Sequence, residues 1–270
     1  MALTKDDYTG NNSGKINKIE DIYGMLSNPC DILYFTILLD YFPEQGKFLE
    51  LGTYIGGSLI TINEYLQDQG KTVKFDTVDD IGELGPYLNN TRITGNSPLR
   101  KFCNYEEYNE LKIITTAEQV TAWIKRRALK LTNKNLDLTW HTSFNTVGTG
   151  YDIIFQDFGF GSKECIEILN TIIPKLNDNG IIVIDDWDSE HIGRIYSTIL
   201  AIQEGKLFPV IWGKRKAFFA KTKERATELT TKIANSSAFD TSILRLGEKE
   251  SIFNLDYIPI QSIGSMSWNI

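Results

Sequence analysis

The sequence predicts an α/β fold: a doubly wound, mostly parallel seven-stranded sheet whose last strands form an antiparallel C-terminal hairpin. Three observations carry this reading. Short apolar runs alternate with helix-period segments along most of the chain. A strand, a glycine-rich turn, a helix and a second strand follow one another within about thirty residues, which is one βαβ unit. Polar residues gather just after the strand ends, where open α/β sheets bind their ligands.

Residues 1–18 are rich in Asn, Gly, Lys and Asp and read as a segment that is mobile or closes over a ligand. Residues 19–42 place Ile22, Met25, Leu33, Phe35, Leu38 and Leu39 at helical spacing, interrupted at Asn28-Pro29, so two helices are expected. The first strand is 47–51, the helix after its turn is 58–67 with Gly70 as its stop, and the second strand is 72–78. Residues 81–114 carry glycine, proline, asparagine and tyrosine and are long for a connection, so they read as a lid over the substrate. A helix is expected over 117–130 and strands over 136–140 and 152–155. A helix over 162–176, stopped by Gly180, leads into an apolar strand over 181–184. A helix over 191–204 precedes strands 208–212 and 217–221, a hairpin turned by Gly213-Lys214-Arg215 on the sheet edge. One more helix is expected after residue 223. The chain thus divides into an N-terminal helical extension or lid (1–46), a core (47–222, with the lid insertion at about 81–116) and a C-terminal extension (223–270).

Composition narrows the function. The 270 residues are 41% hydrophobic, enough for a sizeable core, and the formal net charge is −7. That charge argues against nucleic acid as the main partner. Lys125-Arg126-Arg127 and Lys214-Arg215-Lys216 are the dense basic clusters, read as a solvated helix face and a solvated turn. Cys30, Cys103 and Cys165 are odd in number and far apart, which suggests neither a disulfide framework nor a zinc knuckle and fits a reducing cytoplasm. No apolar run reaches the roughly 18 residues of a membrane helix, and no membrane partner is expected. A homodimer is left open.

Gly52, Gly56 and Gly57 lie in the turn after the first strand, where a missing side chain lets a ligand approach the backbone. The following helix points free N–H groups into the same space, which suits an anion. The spacing Gly-x-x-x-Gly-Gly differs from the Gly-x-Gly-x-x-Gly of dinucleotide folds, which disfavours a nicotinamide-dependent oxidoreductase. Alone, the turn leaves open both a bound ligand and a tight turn that binds nothing. Asp79, at the end of the second strand, can accept ribose hydroxyls, or it is a solvated acid with Asp80 as an alternative bearer of the role.

The run from Phe48 to Ser58, Phe-Leu-Glu-Leu-Gly-Thr-Tyr-Ile-Gly-Gly-Ser, resembles the first motif of class I S-adenosylmethionine-dependent methyltransferases. It is most similar to the metal-dependent branch with catechol and macrolide-sugar O-methyltransferases. The run from Tyr151 to Asp157 resembles that family's fourth strand, and the run from Pro174 to Asp186 its following helix end and fifth strand. The resemblance spans residues 47–222 and implies a Rossmann-like core. It implies that Glu50, Gly52 and Tyr54, with Gly56 and Gly57, border the methionine part of the cofactor. By the same resemblance Ser58 bonds its carboxylate, Asp79 its ribose, and Thr142 or Ser143 lies near its adenine.

In that branch the positions of Asp157, Asp185 and Asp186 hold a divalent cation, usually Mg2+. Hard cations take oxygen ligands, and acids converging without a counter-charge would repel one another. A metal-bound acceptor hydroxyl would have a lowered pKa and a fixed orientation. The alternative is that Asp157 touches the cofactor and Asp185-Asp186 caps the next helix. The run Asp157-Phe158-Gly159-Phe160-Gly161 departs from the relatives in carrying no base. Lys163 and His191 are the nearest catalytic candidates, with His191 equally readable as an exposed helix-start residue and His141 open to the same two readings. Phe158, Phe160 and Trp187 read either as an aromatic wall for the acceptor or as loop packing. The expected function is methyl transfer to a small-molecule acceptor, at a hydroxyl oxygen and with a divalent metal. The alternatives are a metal-free N-methyltransferase and a non-catalytic cofactor-binding partner protein.

Overall fold

A computed structural model describes residues 39–80, 105–159, 161–187, 191–212, 216–235 and 245–246. The expected N-terminal helices, residues 81–104 of the lid, the turn at 213–215, Phe160, Cys30, Cys103 and the tail beyond 246 lie outside the described residues. The chain divides into two compact units, Met1–Asp152 and Ile153–Ile270.

The first unit contains β1 (Gln45–Leu51), α1 (Gly57–Asp68), β2 (Thr72–Val78), α2 (Tyr105–Lys112), α3 (Ala117–Thr132) and β3 (Asp137–His141). It ends on the first residues of β4 (Tyr151–Gln156). Strand order is β3-β2-β1, with both pairings parallel. The C-terminal halves of β1 and β2 are wholly buried, as strands covered on both faces must be. Their exposed halves carry Gln45, Lys47, Thr72 and Lys74. Asp152 fixes where β4 begins, because its carboxylate accepts the Lys47 N–H at 2.8 Å. Thr116 and Gln119 form a capping box at the start of α3. Asn133 closes that helix in a left-handed conformation.

The second unit contains the rest of β4, α4 (Ser162–Ile172), β5 (Leu176–Ile184), α5 (Ile192–Gln203), β6 (Phe208–Trp212), β7 (Ala217–Ala220), α6 (Lys223–Ala234) and β8 (Arg245–Leu246). Strand order here is β4-β5-β7-β6-β8. The pairs β5–β7, β6–β7 and β6–β8 are antiparallel. The fold class is therefore the one expected, a Rossmann-like α/β sheet with antiparallel C-terminal strands.

Several expectations are corrected in detail. The helix from Ser162 ends at Ile172, because Pro174 lacks an N–H and cannot sit inside a helix. A 3-10 turn follows and β5 starts at Leu176, so Gly180 stands within a strand rather than stopping a helix. The hairpin is not the edge: β7 lies between β5 and β6, and the short β8 pairs with Ile211 and Trp212 as an eighth strand. The lid insertion ends in a helix, α2. The expected C-terminal extension begins as part of the second unit, with Leu229 and Ile233 of α6 buried and the Thr230 hydroxyl donating to Val210 O at 3.2 Å. The basic clusters are not simply solvated, since Arg127 and Lys216 are both buried. No helix among the described residues is long and apolar enough to cross a membrane.

Gly180 gives a direct test of the tight backbone approach between residues 176 and 180. A Cβ there would lie 2.7 Å from Leu176 Cγ and 2.9 Å from Asn177 O, the latter a backbone atom that cannot rotate away. Gly180→Ala is expected to lower stability by about 1–3 kcal/mol in urea unfolding. A midpoint equal to that of the wild type would contradict that close approach.

Candidate active site

In the first unit the glycine-rich turn is held by a carboxylate. Asp79 Oδ2 accepts the backbone N–H groups of Thr53 and Tyr54, both at 2.7 Å, and Oδ1 accepts that of Asp80 at 2.7 Å. Gly52 N–H donates to Val78 O at 3.0 Å, so the ends of β1 and β2 stay paired up to the turn. Tyr54 sits at φ 54°, a left-handed conformation that the Asp79 bonds help to fix. Gly56 precedes α1 at φ +75°, and a Cβ there would come within 2.7 Å of Ile124 Cγ2 on α3. Glycine is thus required at 56 by both backbone and packing.

Glu50 is fully buried at the end of β1 and accepts the Ser58 hydroxyl proton. A hydroxyl has one proton to donate, so Ser58 spends it on Glu50 here rather than on a ligand carboxylate. Thr53 and Thr77 share a buried hydroxyl contact, and Thr77 Oγ1 donates to Glu50 O at 3.1 Å. Gly57 is buried in the first turn of α1. After β3, Thr142 is exposed and Ser143 caps a 3-10 turn by accepting Asn145 N–H at 3.2 Å.

His141 belongs to a different network. Asp76, buried in β2, accepts the Tyr151 hydroxyl at 2.7 Å through one oxygen and meets His141 Nε2 at 3.2 Å through the other. Thr146 Oγ1 lies 3.2 Å from His141 Nδ1. Burial and the Asp76 carboxylate push the Tyr151 hydroxyl pKa up. Both ring nitrogens of His141 are engaged, which assigns it to holding β3 against Asp76.

In the second unit the three expected acids do come close together. Asp157 follows β4, and Asp185 and Asp186 follow β5. They are not without counter-charge, as the sequence suggested. Arg194 on α5 has only 2% of its side chain exposed and donates through Nη1 to Asp157 Oδ1 at 3.0 Å and to Asp185 O at 2.8 Å. Its Nε donates to Gly159 O at 3.1 Å, and Nη1 lies 3.7 Å from Asp186 Oδ2. Lys216, 5% exposed, places Nζ 2.5 Å from Asp185 Oδ1 and 5.2 Å from the Phe155 ring centroid. Burial and the Asp185 carboxylate push the Asp157 pKa up to about 7 against the pull of Arg194 and Lys216.

Of the two candidate bases, Lys163 lies on the exposed first turn of α4, whereas His191 precedes α5 with Nε2 3.8 Å from Asp186 Oδ2. Trp187 is buried, with its ring edge-on to Phe219 at 6.4 Å. That is loop packing rather than an acceptor wall. The sequence singles out neither Arg194 nor Lys216 as a site residue: Arg194 goes unremarked, and Lys216 reads as part of a solvated basic turn. A signal for Arg194 exists: residues 194, 197, 198, 201 and 202 form the buried stripe of α5, and an arginine on such a stripe demands carboxylate partners.

A family of methyltransferase domains matches residues 49–187, more than half of the chain. The chain belongs to this family. It is a class I methyltransferase, and its Glu50–Ser58 turn lies within the matched residues. No curated protein matches the sequence. Solved structures similar to this methyltransferase include the O-methyltransferase NovP, 15% identical over 77% of this chain and 81% of that one, with a TM-score of 0.44. Others are the SAH-bound methyltransferase PaMTH1 of Podospora anserina (13% identical, 81% and 87% covered, TM-score 0.47) and an rRNA methylase from Streptococcus thermophilus (10%, 74% and 99%, 0.45).

Two pH effects follow for this methyltransferase. Burial raises the Asp79 pKa above its ordinary value, against three backbone N–H bonds that favour the charged form. Cofactor affinity, measured by calorimetry, should therefore begin to fall, on acidification, at a higher pH than an exposed aspartate would dictate. Asp79→Asn should weaken binding by about 1.5–3 kcal/mol, roughly 10- to 150-fold, and abolish that acid limb. Asp157 has a folded pKa raised from 3.8 to about 7, so between those values the native state binds the extra proton. Its contribution to stability is therefore present below the ordinary carboxylate range and is lost as pH rises towards 7. Thermal melts across that range should show the decline, and Asp157→Asn should flatten it.

Proposed function

We propose that this methyltransferase moves the methyl group of S-adenosylmethionine to a hydroxyl oxygen of a small-molecule acceptor. The cofactor, when bound, supplies a methyl group activated by its sulfonium. The first unit's residues fit that ligand. A carboxylate offers about four lone-pair sites, and three of those on Asp79 take backbone N–H groups. One remains to accept a ribose hydroxyl. Two acidic side chains, fully buried Glu50 and half-buried Asp79, stand beside the turn, an arrangement that suits a cationic sulfonium.

The observation that favours oxygen as the acceptor is the pairing of His191 with Asp186. A hydroxyl is a poor nucleophile until its proton is removed, and a histidine near a carboxylate is a group that removes protons at neutral pH. Asp186 supports the imidazolium that results, and its left-handed backbone, φ 46°, aims the side chain towards α5. His191 is read as the general base, and Lys163, on an exposed helical turn, is not used.

The divalent cation expected at Asp157, Asp185 and Asp186 is not part of this reading. The donor set was expected to be uncompensated, and it is paired with Arg194 and Lys216.

Calorimetry with S-adenosylmethionine tests the first half; no heat at high micromolar cofactor would sink it. For the second half, purified protein is incubated with labelled cofactor and a panel of phenols, sugars and amines, and the methylated atom is located by NMR. His191→Asn should keep cofactor affinity and reduce turnover about 10²- to 10⁴-fold on the hydroxyl acceptor. Full turnover in His191→Asn, or methylation of amines alone, would overturn the assignment to oxygen.

A further inference from the structure

The acids after β4 and β5 are the same residue types, at the same strand ends, that hold a metal in the branch the sequence resembles. Their surroundings in this chain are different. We infer that Arg194 and Lys216 are built-in counter-cations for Asp157, Asp185 and Asp186, and that this cluster takes no divalent cation. The inference goes beyond the proposed methyl transfer and does not depend on which acceptor is used.

Geometry carries it. Asp185 Oδ1 already receives Lys216 Nζ at 2.5 Å and the Asp186 N–H at 2.8 Å. Asp157 Oδ1 receives Arg194 Nη1 at 3.0 Å, and the same nitrogen lies 3.7 Å from Asp186 Oδ2. A magnesium-like ion needs oxygen ligands at about 2.0–2.1 Å in near-octahedral array. An ion seated among these acids would stand within a few ångströms of a guanidinium and an ammonium. Both cations are almost completely buried, so solvent does not screen the repulsion.

Neither cation is free to leave. Arg194 is anchored through Nε to Gly159 O at 3.1 Å and through Nη1 to Asp185 O at 2.8 Å, and it rises from the buried stripe of α5. Lys216 enters from the residue before β7, whose four residues are all buried. Its ammonium lies over the Phe155 ring, 5.2 Å from the centroid. Among the described residues no group of three or more His, Cys, Asp or Glu stands in an arrangement that holds a metal. Lys216 and Arg194 are positioning residues in this scheme: they set where the acids stand, and through Asp186 where His191 stands.

The test uses the full chain and Mn2+, an oxygen-preferring ion visible by electron paramagnetic resonance. Wild-type protein, stripped with chelator and titrated with Mn2+, should leave the free-ion signal undiminished up to about 10⁻³ M, the weak end of biological oxygen sites. Lys216→Met removes the ammonium and keeps an unbranched side chain of similar length in the buried site. It should gain Mn2+ binding of at least tenfold over wild type, and adding Asp185→Asn should abolish the gain. Tight Mn2+ binding by the wild type that is lost in Asp157→Asn would overturn the inference. So would a folded Lys216→Met that gains nothing. Should Lys216→Met fail to fold, the wild-type titration decides alone. Neither readout requires turnover, so failure here is distinguishable from failure of the methyl-transfer reading.

Discussion

A guanidinium buried to within 2% of complete enclosure must have its donors met inside the protein, and the functional edge of the second unit is arranged around that requirement. Arg194 reaches the carbonyl of Gly159, the carboxylate of Asp157 and the carbonyl of Asp185. One side chain on α5 thereby ties down the loop after β4 and the loop after β5. Removing one partner of a buried pair costs about 3–5 kcal/mol, because the other charge is then left uncompensated. The acids, the arginine and the lysine therefore stand or fall together.

The first unit solves the burial of acids in another way. Asp79 accepts three backbone N–H groups, Asp76 meets a tyrosine hydroxyl and a histidine, and Glu50 accepts a serine hydroxyl through one of its oxygens. Backbone and hydroxyl donors stabilise a carboxylate without cancelling its charge. Paired cations cancel most of it. A turn built on neutral donors leaves its acids without a paired cation, whereas the second cluster sets two buried cations against its three acids. The two sets of acids look alike in sequence and differ in what they can bind.

That difference explains what the sequence made legible. The strand–turn–helix of residues 45–68 was legible because its signals are local: an apolar strand, glycines where backbone and packing exclude a side chain, then helical periodicity. Asp79 was legible as a strand end at a fixed distance from the turn. Its work of clamping Thr53 and Tyr54 was not, because that depends on pairing between β1 and β2. Arg194 and Lys216 escaped for a related reason, since their partners are 37 and 31 residues away. Lys216 also stood in a basic triplet that ordinary surface logic assigns to solvent. The early end of α4 was legible in Pro174 and was overridden by the apolar periodicity that continues through Leu176.

Asp186 is where these arguments meet. It lies 3.7 Å from Arg194 Nη1 and 3.8 Å from His191 Nε2, and its backbone is left-handed at φ 46°. Such a conformation costs a non-glycine residue of order 1–3 kcal/mol and persists only where its surroundings enforce it. That carboxylate meets a buried guanidinium on one side and an imidazole on the other, so the left-handed backbone at Asp186 is held by contacts from both. Arg194 also ties the carbonyls of Gly159 and Asp185, which fixes the loops on either side of the cluster from one helix. The strain at Asp186 is thus offset by the same buried cation whose donors the acids satisfy.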